Sequence, residues 1–302
     1  MAKSKTHNQI LIELLDEFVR VCKQYNLRYY LEGGSILGAV RHQGMIPWDD
    51  DVDVSMPRKD YETLRHLGNV WGDHYRLGDY ETTPGYTYDF LKLEDLNTTL
   101  IEKTSPVYIG GVFLDIFPLD NIPNEEANQS IIAYQDKTLP TYQQFCIDPY
   151  CASCQCLWQY VSLRIRRMFF SSKRFLQKID KVTRTYENDE SCAFWKCTHG
   201  YFRKGAAPRE WWGDGVEADF EGKKYVIPTN YDAYLTHLFG DYMTPPPIEK
   251  RISHSFTFED VTHRLSAEEL KPILINLEKK YGYHFRLKRE LKYLLRKLHL
   301  FN

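Results

Sequence analysis

Four aspartates, Asp49, Asp50, Asp51 and Asp53, fall within one short stretch, "EGGSILGAVRHQGMIPWDDDVDV". Two carboxylates about 4 Å apart repel by roughly 4 kcal/mol at an effective dielectric near 20. A folded chain keeps such a group only in solvent or against a compensating partner. In "DVDVSM" aspartate alternates with valine, and residues i and i+2 of a strand project from one face. Asp51 and Asp53 can therefore converge on one hard cation while the valines face a core. Mg²⁺ takes oxygen ligands and is commonly held by one or two carboxylates plus substrate phosphates. Just upstream, Gly33 and Gly34 let the backbone approach a ligand closely. A helix with Ser35 as N-cap would aim N–H groups at an anion. Together these features support a phosphate held between a divalent metal and a helix N-terminus. The bland alternative is a solvated acidic loop. The order strand, Gly-Gly-Ser, helix, Asp-x-Asp strand favours the metal–phosphate chemistry.

Further residues could join that site. "VFLDIF" is an apolar strand interrupted by Asp115, and an unpaired buried charge there would be costly. Its alternative is a satisfied structural carboxylate at a strand end. Lys92, in "FLKLED", is either a phosphate contact from a neighbouring strand or an exposed edge lysine. Arg41 and His42 either contact the donor or simply complete the helix favourably. Asp49 and Asp50 could orient the strand, cap the turn at Trp48 or bind metal through water. Trp48, Tyr86, Tyr88, Trp211 and Trp212 are candidate walls for a cation-binding aromatic cage, or ordinary core.

The elements that must position these residues are legible from periodicity. "NQILIELLDEFVRVCKQYN" places Ile10, Leu11, Leu14, Leu15, Phe18 and Cys22 at helical spacing. "LRYYL", "DVDVSM", "YRLGDY", "TYDFLKLED" and "GVFLDIFPLD" read as strands. "RKDYETLRHLG" and "NYDAYLTHLFGDY" read as helices, and "FEGKKYVIP" as a hairpin. Residues 122–190 read as a helical insertion and 265–302 as C-terminal helices, within a single domain spanning 1–302. The expected class is α/β (α+β), a mixed sheet flanked by helices.

The stretch "LEGGSILGAVRHQGMIPWDDDVDV" closely resembles the LicD family of the nucleotidyltransferase-fold superfamily, which includes fukutin-like proteins. The resemblance continues in "LKLEDLNTT", "FLDIFPLD" and "FEGKKYVIPTNYDAYLTHLFGDYMTPPPIEKRISH". It implies a phosphotransferase that moves phosphocholine from CDP-choline to a glycan and releases CMP. The implied acceptor is a cell-surface glycan or its lipid-linked precursor, of the teichoic acid or lipopolysaccharide type. The superfamily pattern is Gly-Ser, an Asp-x-Asp strand and a third carboxylate on a later strand. Gly34 with Ser35, Asp51 with Asp53, and Asp115 match it. Those three aspartates would thus be catalytic and bind Mg²⁺ or Mn²⁺, with Gly33, Gly34, Ser35, Arg41, Lys92 and Trp48 contacting substrate. Ribitol or glycerol phosphate donors, or an inactive glycan- or choline-binding module, are the alternatives.

The 302 residues carry a net charge of −2, which argues against a general nucleic-acid binder. That figure hides an asymmetry. Residues 161–184 sum to +7 and residues 281–302 to +5, so the remaining body carries −14. Two basic helical segments on an acidic body suggest specific faces for anionic surfaces. "FRLKRELKYLLRKLHLF" could lie in an anionic membrane interface as an amphipathic helix, although packing on the domain is the favoured alternative. No apolar leader or membrane-length run is legible, and seven cysteines, an odd count, suit a reducing cytoplasm. Cys151-x-x-Cys154 has the local spacing of a zinc knuckle, but buried cysteine is also an ordinary small apolar residue.

Overall fold

The computed structural model describes residues 5–197, 206–251 and 257–283. Helix α1 (His7–Tyr25) begins at a capping box, in which the Thr6 side chain and Gln9 each satisfy the other's backbone N–H. It ends at Asn26, in the left-handed region at φ 55°. Its apolar stripe is buried as its spacing predicts, with Leu14, Leu15 and Phe18 fully enclosed. Burying each such side chain stabilises by about 1.5–3 kcal/mol.

That stripe covers a mixed sheet. The strands are β1 (Tyr30–Leu31), β2 (Asp53–Pro57), β3 (Tyr75–Gly78), β4 (Leu91–Glu102) and β5 (Tyr108–Ile122). With β10 (Phe258–Asp260) the order is β1-β2-β5-β4-β10. β2 and β5 run parallel, while β1 with β2, and β4 with β5, are antiparallel. β3 joins the far side of β4, whose register to β5 shifts between Asp95 and Leu100. The crossover between β1 and β2 contains helix α2 (Gly33–His42), and α3 (Arg58–His66) follows β2 directly. Val52, Val54, Leu93, Leu114 and Ile116 fill the sheet's core side.

After Ile122 the chain is helical: α4 (Glu125–Tyr142), α5 (Leu157–Phe169) and α6 (Ser172–Thr183). It then returns through β6 (Phe194–Cys197), which extends the sheet beside β5, and β7 (Ala207–Pro208). The strand at "FWKC" lacks the alternating pattern that periodicity seeks. Lys196 is buried there, so its polarity hides the strand. The hairpin forms as β8 (Val216–Phe220) and β9 (Lys223–Ile227), followed by α7 (Tyr231–Phe239) and α8 (Ala267–Tyr281). The basic C-terminal stretch read as a possible interfacial helix lies beyond Tyr283, outside the described residues.

Candidate active site

Asp53 opens β2 and pairs in register with Asp115 of β5, and Lys92 of β4 pairs with Asp115 from the other side. Register partners on adjacent strands project from the same face. Asp53, Asp115 and Lys92 therefore form one row across three strands. Asp51 does not share the strand with Asp53 as the alternation predicts. It sits in the preceding loop with Asp49 and Asp50, where one carboxylate oxygen from each lies within 4.8 Å of the others. Burial, and then the negative charges of Asp51, Asp115 and Asp49, push the Asp53 carboxyl well above its usual range.

The glycine turn is wedged against these carboxylates. Gly33 has φ +51°, and a Cβ there would point to within 3.9 Å of Asp53 Oδ2. A Cβ on Gly34 would come within 2.7 Å of Asp49 Oδ2. The helix begins three residues earlier than its composition predicts. Glu32, not Ser35, is the N-cap, its side chain accepting from the Gly33 N–H. Ser35 lies in the first turn, and its Oγ accepts from the Asp53 N–H at 2.9 Å. The hydroxyl is thus spent on holding the aspartate strand to the helix. Glu32 is a site residue that sequence reasoning misses. It is buried, accepts from the Tyr234 hydroxyl of α7 at 2.5 Å, and its carboxyl is pushed up by that burial. An acid directly before Gly-Gly is a local signal for a cap, but the distant tyrosine gives none.

Lys92 is not an exposed edge lysine. It is 2% exposed, its Nζ donates to Glu102 Oε1 at 2.9 Å, and it lies 3.3 Å from Asp115 Oδ1. The ammonium also sits 4.3 Å from the Tyr88 ring centre and 3.1 Å from that of Phe113. Burial works against its charge, but Asp115 and Glu102 outweigh it and hold the pKa above the usual lysine value. These groups line a cavity of about 290 Å³ together with Asp51 and Phe90. Carboxylates, a fixed ammonium and aromatic faces thus meet beside the aspartate row.

Arg41, in the last turn of α2, donates to the Tyr242 carbonyl at 2.6 Å. Burial, and then the charge of Arg251, hold its pKa below the usual arginine value. Arg251 covers the Trp48 ring at 4.3 Å, and His42 meets that ring edge-on. Arg41, Arg251, His42 and Trp48 thus form a cationic and aromatic group leading into the aspartate loop. Of the candidate cage residues only Tyr86 and Tyr88 meet, edge-on at 5.4 Å. Tyr88 lines the cavity, Tyr86 packs with Tyr80 and Tyr108, Trp212 is core, and Trp211 packs on His237. Cys151 and Cys154 lie in an apolar cluster with Phe145, Leu163 and Tyr283. The only group of three metal-ligating side chains found among the described residues is the aspartate loop, not a cysteine knuckle.

The arrangement can bind an oxyanion at the turn and a hard cation at the carboxylates. Known proteins share its sequence. Residues 26–151, which contain α2, the aspartate loop and the β2–β4–β5 row, match the LicD/FKTN/FKRP nucleotidyltransferase domain. Lipopolysaccharide cholinephosphotransferase LicD of Haemophilus influenzae is 27% identical over 262 residues, covering 81% of this chain and 93% of that protein. Ribitol 5-phosphate transferase FKRP of Homo sapiens and its Mus musculus counterpart are each 52% identical over 76 residues. Those two matches cover 20% of this chain and 15% of the relatives. Residues 26–151 thus match a LicD/FKTN/FKRP nucleotidyltransferase domain, and the similarity to the cholinephosphotransferase supports a phosphotransferase.

Proposed function

We propose that the protein transfers phosphocholine from CDP-choline to a hydroxyl of a cell-surface glycan or its lipid-linked precursor, releasing CMP. One observation carries this reading: Asp53 and Asp115 meet in register on parallel strands beside a glycine turn that packs against the Asp49 and Asp53 carboxylates. The all-oxygen donor set of Asp51, Asp53 and Asp115, with Asp49 and Asp50 alongside, fits Mg²⁺ or Mn²⁺ rather than a soft metal. Bound there, such a cation would neutralise charge on the phosphoryl oxygens. The chain's own groups do the rest. Gly33 and Gly34, lacking side chains, let the Asp49 and Asp53 carboxylates lie against the start of α2. Asp53 or Asp115 accepts the proton of the attacking hydroxyl. The new oxygen–phosphorus bond forms in line as the bond to CMP breaks.

The choline donor is favoured over ribitol or glycerol phosphate by extent. The cholinephosphotransferase relative runs alongside 81% of this chain, against 20% for the ribitol 5-phosphate transferases. The test is CMP release from CDP-choline, CDP-ribitol and CDP-glycerol, each with Mg²⁺, with Mn²⁺ and with chelator. Metal-dependent release from CDP-choline in preference to the others is expected. Release only from another donor would replace the choline assignment, and release unaffected by chelator would remove the metal.

A further inference from the structure

We infer that α5 is a docking helix that lies in the interface of a bilayer containing anionic lipid. One side of α5 is fastened to the body. Leu163 packs among Phe145, Cys151, Cys154 and Tyr283, and Arg167 donates to the carbonyls of Gln144, Asp148 and Pro149. The other side is uncovered among the described residues. Trp158, Met168 and Phe169 are 77%, 79% and 84% exposed, and Leu157, Val161 and Ile165 are exposed with them. At about 100° per residue these six side chains share one stripe roughly 120° wide. Single exposed apolar residues are ordinary, but a contiguous stripe marks a binding face.

Charge selects the occupant. Arg164 and Arg166 flank the stripe on its two sides, and α5 contains no acidic residue. After two residues α6 adds the exposed Lys173, Arg174, Lys178 and Lys181. An apolar stripe with a tryptophan near one end and arginines on both margins suits the headgroup boundary. There, long cationic side chains reach lipid phosphates while the stripe enters the acyl region. The chain beyond Tyr283 starts beside α5, since Tyr283 stacks on Tyr160 at 5.0 Å. Residues 284–302 themselves carry a net +5, so like charge disfavours them as a cover for α5. A second copy would oppose the same arginines to one another.

The experiment floats the full chain with vesicles of phosphatidylcholine, with and without phosphatidylglycerol. Binding to the anionic vesicles that weakens with salt is expected. A Trp158→Ser/Met168→Ser/Phe169→Ser variant should partition about tenfold or more less strongly. An Arg164→Glu/Arg166→Glu variant should lose the preference for phosphatidylglycerol. The triple variant should leave the melting temperature unchanged, because its three side chains are exposed. Three results would overturn the inference. One is no binding by the full chain at any phosphatidylglycerol fraction, as a face covered by the C-terminal segment would give. Another is vesicle binding that the triple variant leaves unchanged. The third is a dimer in sedimentation that the triple variant dissociates, which would assign the stripe to a second copy.

Discussion

Asp53 and Asp115 are register partners on adjacent parallel strands, yet their electrostatic surroundings are opposite. Asp115 lies 3.3 Å from the Lys92 ammonium, whereas the charges acting most strongly on Asp53 are those of Asp51, Asp115, Asp49 and Glu32, all negative. Replacing either carboxylate with an amide should lower turnover by about 10²–10³-fold or more, the scale for losing a group that stabilises developing charge. Stability in chelator should then split. Asp53→Asn should melt at an equal or higher temperature, because a repulsion is removed. Asp115→Asn should melt lower, because Lys92 loses a partner. Thermal melts of the two variants beside wild type check the sign. A common shift would mean that the two carboxylates share one environment.

The glycine turn makes a separable prediction. A Cβ at Gly34 would reach within 2.7 Å of Asp49 Oδ2. Gly34→Ala must therefore displace the Asp49 carboxylate, while the helix itself tolerates alanine. The Mg²⁺ concentration for half-maximal activity should rise several-fold, with little change in melting temperature. Ser35→Ala removes the acceptor for the Asp53 N–H and should cost about 1 kcal/mol of stability. A Mg²⁺ titration of Gly34→Ala that overlays wild type would separate the aspartate loop from the metal.

Much of this site was legible before any coordinates. Helical spacing gave α1, α3 and α7, and the alternation of valine with aspartate located β2. Asp53 and Asp115 are separated along the chain by α3, β3 and β4, so only the resemblance, not periodicity, joined the two. Short-range patterns fail wherever a distant partner decides a residue's state. Lys92 reads as either a phosphate contact or an edge lysine because charge in a strand signals exposure, but Asp115 and Glu102 make its burial possible. Ser35 reads as an N-cap by type, yet Glu32 occupies that position because Tyr234 completes its bonding. The α5 stripe lies in a stretch read only as helical and basic, because sequence alone does not give what covers a helix face.

Lys92 supplies a stability test. Its buried ammonium joins two carboxylates of the cavity wall, one from Glu102 and one from Asp115. Lys92→Met keeps the chain length but leaves both acids without their cation. Breaking a buried pair by removing one partner typically costs about 3–5 kcal/mol. Urea unfolding should show a loss of that order. Bound divalent metal should recover part of it by neutralising Asp115. A variant as stable as wild type in chelator would mean that these acids are already protonated in the folded protein.

Lys196 gives the pH dependence. It is 2% exposed on β6, and its Nζ donates to the neutral Asn128 Oδ1 at 3.0 Å. Asp120, its register partner on β5, is engaged by the Arg58 guanidinium at 2.6 and 2.8 Å. Burial pushes the Lys196 pKa down from 10.5 to about 8, with Glu125 opposing the fall. Below about pH 8 the amine is charged in both the folded and the unfolded chain, and the cost of burying that charge is fully present. Between about pH 8 and 10.5 the unfolded chain binds the proton more tightly than the folded one, so this contribution favours folding increasingly as pH rises. Each unit of pKa depression corresponds to about 1.4 kcal/mol. Lys196→Met lacks the titration. Its stability relative to wild type should therefore be most favourable near pH 7 and should decline steadily toward pH 10.5. Paired urea melts across that range measure the difference directly, because the other titrating groups are common to both proteins. A difference that stays constant with pH would show that the folded protein holds the Lys196 proton as tightly as water does.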